Sequence, residues 1–386
     1  MEKVRSILFK VLIITMLLDP TNTVLGVKIY LFFMFVLLSV NHFNYSIIKT
    51  LPLFLYYTTI ISGSLSLFIQ STDYDPIFFA NYFTTGGILL LLPLLNRKYF
   101  SYLVQAFIFG CILISLLTIG LFVFFKSTDI NLIYGFDFKN TFIVTPRAYM
   151  GIPFLMVYHK SVCALLIAVG IVFNRMLNLG FRWYLMFIVI VFILTLYISA
   201  TRANMLAALV LFVSYIYYFL NKKGYHSLSV IMMMFSSCLV ILSVFVLVTF
   251  ATDNSNSIKY GHVVSIYEYL SENMIYLFFG MGTGSVFYSS GFDAIVPITE
   301  VTYFEFVRSF GLIISPLLFF MFFFPLFYAV LKKIKHYKMY FTSYFVFLIV
   351  GGTNPLLIGN LGLLILILSY SILVFGRYDK STDFTF

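Results

Sequence analysis

A chain of 386 residues with 62% hydrophobic and only 10% charged residues cannot coat a water-soluble surface, since ordinary soluble domains carry about 25% charged residues. The formal net charge of +10 sits in short segments between apolar runs, which argues against a nucleic-acid-binding face and for a membrane protein. Cys111, Cys163 and Cys238 all lie within apolar stretches, so neither a loop disulfide nor a Cys/His metal site is expected.

Lys3 and Arg5 precede an apolar run that ends in Asp19-Pro20 with no small-residue cleavage site, the pattern of a retained first span entering from the cytoplasm. A bilayer crossing needs about 17 to 25 apolar residues. Runs near that length fall at 5–19, 27–41, 51–70, 76–95, 99–126, 152–173, 182–199, 203–220, 228–250, 303–331, 339–353 and 356–375. Pro52, Pro76 and Pro153 stand at or near span starts, where a missing N–H is harmless. The expected fold is therefore an all-α integral membrane protein, one polytopic domain over residues 1–386 with about twelve transmembrane helices.

Charge sets the direction. With the N-terminus in the cytoplasm, 15 of the 24 Lys and Arg fall on the cytoplasmic side and 11 of the 14 Asp and Glu fall at or beyond the outer face. An odd number of spans would reverse this bias in the second half, so both termini are placed in the cytoplasm. Two outer segments, 127–151 and 251–302, are too long for turns, and the second separates spans nine and ten. Tyr and Phe are frequent in both, which argues against disorder.

Charged side chains are costly in lipid, so the few cations outside the cytoplasmic segments are candidates for function. Arg147 closes the first long loop in Thr145-Pro-Arg-Ala-Tyr-Met-Gly151. Lys160 follows within the expected sixth span beside His159, about two turns below the outer face. Arg202 lies in the short link Ser199-Ala-Thr-Arg-Ala-Asn204, where a guanidinium beside helix N–H groups suits a phosphate; a lipid-facing arginine is the plainer reading. In the large loop, His262 and Glu268 form a weaker cluster, and Gly280-Met-Gly-Thr-Gly284 reads as a tight turn re-entering the bundle. Glu300, Glu305 and Arg308 open the tenth span. Glu305 and Arg308 share a helix face and could simply pair, whereas Glu300 has no local partner and could accept a proton.

These pieces, in this order, resemble the O-antigen polymerase and O-antigen ligase superfamily of bacterial membrane glycosyltransferases. Arg147 with Gly151 ahead of a span is similar to that family's "R…G" stretch. Ser199-Ala-Thr-Arg202-Ala is similar to its "S-x-S/T-R-G/A" link, with Ala203 where glycine is common. Gly280-Met-Gly282-Thr-Gly284 resembles its "G-x-G-x-G" turn. Glu300-Val-Thr-Tyr303 leading to Gly311 resembles its "H-N/E-x-x-Y-L…G-L-x-G" approach to the next span. The match covers roughly residues 140–370. Ligases of the family carry a histidine where Thr299-Glu300 stands here, which favours the polymerase branch.

The resemblance implies a metal-independent glycosyltransferase without cofactor at the outer face of the bacterial cytoplasmic (inner) membrane. Its substrates would be undecaprenyl-pyrophosphate-linked oligosaccharides, with membrane lipid, a chain-length regulator and a flippase as partners. It further implies that Arg147, Lys160, Arg202 and Arg308 bind the pyrophosphate and that the base is among Glu300, Glu305 and His262. A ligase joining finished polymer to a lipid acceptor is one alternative. A flippase or other transporter is another, although such proteins show two related halves and short outer loops.

Overall fold

In a bilayer every backbone N–H and C=O must find a partner within the protein, so apolar runs fold as helices. The computed structural model describes residues 2–21, 24–126, 136–138, 141–149, 152–235, 237 and 255–376. The chain is mostly helical: α1 Glu2–Leu18, α2 Lys28–Ser39, α3 Ile47–Gln70, α4 Pro76–Gly86, α5 Leu91–Leu94, α6 Arg97–Lys126, α7 Ala164–Leu179, α8 Trp183–Ile198, α9 Arg202–Lys222 and α10 His226–Phe235. Then follow α11 Ser255–Glu272, α12 Met274–Phe279, α13 Thr302–Leu331, α14 Lys338–Gly351 and α15 Asn360–Phe375. Five helical segments among the described residues are long and apolar enough to cross a membrane: Ile47–Gln70, Pro76–Leu94, Arg97–Lys126, Arg202–Lys222 and Thr302–Leu331. Shorter apolar helices stand between them. The expected ninth span, 228–250, lies largely outside the described residues.

The expected sixth span is corrected. Residues 152–159 are not helical but form β3 Ile152–His159, paired antiparallel with β2 Phe142–Tyr149, which also pairs with β1 Phe136–Phe138. Helix α7 begins only at Ala164. Uniformly apolar runs do not distinguish a buried strand from a helix. Here the hairpin satisfies the backbone and buries Phe142, Val144 and Val157 against Phe125 of α6 and Ile198 of α8. A second hairpin, β4 Phe287–Ser289 with β5 Ala294–Val296, lies in the large loop.

Helix ends gather in two layers. In the first, Arg5 Nε donates to the Tyr99 hydroxyl at 2.5 Å, Lys98 pairs with Glu2 at 2.8 Å, Lys49 Nζ donates to the Leu95 carbonyl at 2.7 Å, and Asn174 donates to the His336 carbonyl at 2.8 Å. In the second, His159 Nε2 bonds the Leu18 carbonyl at 3.2 Å, Asn360 donates to the Pro20 carbonyl at 2.7 Å, and the Thr302 N–H donates to the Gly352 carbonyl at 3.1 Å. Successive long helices run back and forth between these layers.

Between α13, α14 and α15 a buried tyrosine group repairs the helix ladder. Pro325 has no N–H for the carbonyl of Met321, four residues earlier. The Tyr370 hydroxyl donates to that carbonyl at 3.1 Å, and Tyr344 donates to the adjacent Phe322 carbonyl at 2.8 Å. Tyr370→Phe leaves the Met321 carbonyl unpaired in an apolar interior, at a cost on the order of 1 kcal/mol. The thermal unfolding midpoint of the detergent-solubilised protein should fall for Tyr370→Phe and stay unchanged for Tyr30→Phe, whose side chain is exposed.

Candidate functional site

The site is built on an interrupted helix. Gly311, at φ 66° and ψ 175°, breaks α13 after its first nine residues. Carbonyls at the break face the glycine-rich loop: the Met281 N–H donates to the Arg308 carbonyl at 2.8 Å and the Gly282 N–H to the Ser309 carbonyl at 3.1 Å. A Cβ on Gly311 would lie 2.2 Å from the Phe278 carbonyl oxygen, so only glycine allows this approach.

The other wall is the end of α3. Ser66 Oγ donates to the Gly280 carbonyl at 2.8 Å, Thr72 Oγ1 to the Met281 carbonyl at 2.7 Å, and the Thr283 N–H to the Gly63 carbonyl at 3.2 Å. A Cβ on Gly282, at φ +104°, would meet the Leu67 backbone at 2.6 Å. Residues 280–284 are therefore wedged between α3 and α13, and the turn re-enters the bundle.

Below the wedge, Arg308 is fully buried and its guanidinium is saturated. Nε donates to both Glu305 oxygens at 3.0 and 3.1 Å. One terminal nitrogen donates to the Ser285 carbonyl at 3.1 Å and hydroxyl at 2.8 Å; the other donates to the Pro297 carbonyl at 3.0 Å and to Glu305 at 2.5 Å. The five N–H groups of a guanidinium are thus accounted for within the chain. The Phe287 ring lies 4.4 Å from its central carbon. Glu305 also accepts from Ser309 Oγ at 3.1 Å and Thr299 Oγ1 at 3.2 Å. Glu305 and Arg308, expected as base and pyrophosphate ligand, are here one buried ion pair that ties the α13 start to the turn at Ser285 and the segment before Thr299.

Glu300 differs. It is half-buried just ahead of α13, and no hydrogen bond or ion pair reaches its carboxylate among the described residues. Its charge acts on His262 of α11 and on Tyr158 of β3, so it stands near both the large loop and the first hairpin. The His262 imidazole is buried, with Nδ1 2.5 Å from Ser289 Oγ, its ring 4.5 Å from that of Phe292 and Nε2 without a hydrogen-bond partner. Burial lowers its pKa, opposed by the charges of Glu300 and Glu305. Glu268, on the same helix, makes no side-chain bond with it.

The cations lie toward the first hairpin. Arg147 is mid-strand in β2, in register with Phe154, rather than ahead of a span; its side chain is outside the described residues. Lys160 is not buried inside a helix but half-exposed in the turn after β3, where its N–H donates to the Thr141 carbonyl at 3.1 Å. Its neighbour His159 accepts from the Ser161 N–H at Nδ1, which leaves Nε2 to donate to Leu18, and burial pushes its pKa down to about 4. Arg202 is the first residue of α9, half-buried after the left-handed Ala200. Tyr197, just before that link, packs edge-on against Phe154 at 5.4 Å, which sets the Arg202 link beside the hairpin. Two groups result: Glu300, Glu305, His262 and Arg308 around the glycine loop, and Lys160, Arg202 and the Arg147 strand around the hairpin.

Tyr158, Ser285 and Ser289 had no signal in the sequence, because each acts on a residue far along the chain. No group of three or more His, Cys, Asp or Glu side chains is disposed to hold a metal among the described residues. Comparison with family profiles, characterised proteins and solved structures finds no match.

Breaking the buried pair should cost about 3–5 kcal/mol. Glu305→Gln and Arg308→Met should each lower the unfolding midpoint strongly, the double variant should recover part of the loss, and Glu300→Gln should change it little. A second outcome concerns pH. His262 is held below its unfolded pKa of about 6.5, so the unfolded state takes up protons first and stability is lost as pH falls below that value. Limited proteolysis should therefore show α11 more readily cut at pH 5.5 than at pH 7.5, and less so in His262→Gln.

Proposed function

We propose that this chain is a polysaccharide repeat-unit polymerase of O-antigen or capsule type, working at the outer face of a bacterial cytoplasmic membrane through about twelve spans with both termini inside. The reading rests on the resemblance of four ordered motifs, and one observation carries it furthest. Glu300, at the end of the large loop and without a hydrogen bond or ion pair among the described residues, acts by its charge on His262 of that loop and on Tyr158 of the first hairpin. The sidedness rests on charge: Glu2 is the only acidic residue on the first layer among the described residues, and the remaining carboxylates lie toward the second.

In this reading the sugar hydroxyl of an incoming lipid-linked unit attacks the anomeric carbon of the growing chain. The new C–O bond forms as the bond to the pyrophosphate oxygen breaks, and that oxygen keeps the electron pair. Glu300 takes the hydroxyl proton. Arg202, Lys160 and Arg147 stabilise the charge on the departing undecaprenyl pyrophosphate. Glu305 and Arg308 act as positioning residues, because Thr299 and Pro297, which they bind, flank the approach to Glu300. His262 is the other candidate base.

The test is complementation of a deletion strain, with surface glycan resolved by gel. The wild-type gene should restore a ladder. Glu300→Gln and Arg202→Ala should leave single repeat units, with polymer lowered about 100-fold or more. A full ladder from both variants would remove them from the site. Polymer accumulating on its carrier in the deletion strain would indicate a ligase instead. Purified protein that fails to lengthen lipid-linked units but moves them across vesicles would indicate a flippase.

A further inference from the structure

The first layer carries a charged surface that the proposed chemistry does not use. Lys332, Lys333 and Lys335 follow α13, Lys338 opens α14 and Lys223 closes α9; all five are exposed. No ion pair joins any of them to a carboxylate among the described residues, and Glu2 on the same layer is occupied by Lys98. Neighbouring like charges repel, so the turns that carry them need contacts that hold them in place.

Backbone contacts do so. Asn174 and Asn178, at the end of α7, both donate to the His336 carbonyl, at 2.8 and 2.9 Å. The turn after α13 is closed by the Ile334 N–H donating to the Ala329 carbonyl at 3.0 Å, with Lys333 in the left-handed region at φ 49°. Tyr218 of α9 bonds Thr342 of α14 at 3.3 Å, and Lys338 Nζ lies 5.9 Å from the Tyr218 ring while Lys223 Nζ lies 6.0 Å from that of Phe219. The patch is thus an ordered platform across the ends of α7, α9, α13 and α14.

Aromatic side chains give its depth. Trp183, 80% exposed at the start of α8, and Tyr225, 60% exposed just after α9, stand on the same layer. Exposed Trp and Tyr at helix ends mark the headgroup level of a bilayer, where Lys ammonium groups meet lipid phosphates.

We propose that this platform binds the phosphate headgroups of anionic phospholipid, holding a lipid across the ends of α9, α13 and α14. The inference rests on the membrane reading and not on polymerase activity. It is tested with the purified full-length chain, by native mass spectrometry during delipidation from nanodiscs of phosphatidylglycerol or phosphatidylcholine. The wild type should retain phosphatidylglycerol but not phosphatidylcholine. The triple variant Lys332→Gln/Lys333→Gln/Lys335→Gln should retain it ~10-fold less, whereas the triple Lys→Arg variant and the same-layer control Lys3→Gln/Lys98→Gln should match wild type. Excess inorganic phosphate should not displace the lipid. Equal retention of both lipids, full retention by the Gln triple variant, or displacement by inorganic phosphate would each overturn the proposal. Polymer synthesis measured on the same variants separates its failure from that of the functional reading.

Discussion

A guanidinium sealed from water must have every N–H accepted, and at Arg308 that requirement organises the upper part of the molecule. Its acceptors come from three places in the chain: Glu305 one turn away, Ser285 in the glycine loop and Pro297 ahead of α13. Satisfying all of them at once fixes where the large loop crosses the bundle. The break at Gly311 and the wedge of residues 280–284 are parts of the same solution, since the carbonyls that the break presents are those the loop amides bind. Removing one partner would strand a charge in the interior, which is why such pairs resist piecemeal change.

That arrangement divides the charges of the second layer by what they can do. Glu305 and Arg308 neutralise each other and serve geometry. Glu300 is held nearby without a hydrogen-bond partner among the described residues, and burial lowers the pKa of His262, whose Nε2 makes no hydrogen bond there. Lys160 and Arg202 lie beside the first hairpin instead. For the proposed chemistry on an anionic leaving group, charge fixed on such a scaffold would stabilise the transition state without reorganisation.

Much of this was legible in the sequence and some was not, for physical reasons. Hydropathy located most of the described helices, because lipid demands continuous apolar length, and Pro76 marked a helix start that the structure caps with the Asp75 carboxylate. The spacing of Glu305 and Arg308 announced their pairing. The run Ile152–His159 misled, because it is as apolar as a span while its hairpin partner, Phe142–Tyr149, is chosen by register rather than by local pattern. The turn over 352–359 likewise shortens α14 and α15 relative to their apolar runs. The acceptors of Arg308 were invisible, since backbone carbonyls of Ser285 and Pro297 carry no residue signature. Tyr158 comes near Glu300 only through the fold.

The most direct measurement is peptide-level hydrogen–deuterium exchange over residues 278–286 in the solubilised protein. If Arg308 holds the glycine loop in the α13 break, the Met281, Gly282 and Thr283 amides should exchange as slowly as those of mid-α3, and Arg308→Met should accelerate them together. Exchange of these amides in the wild type at the rate of an exposed loop would contradict the account.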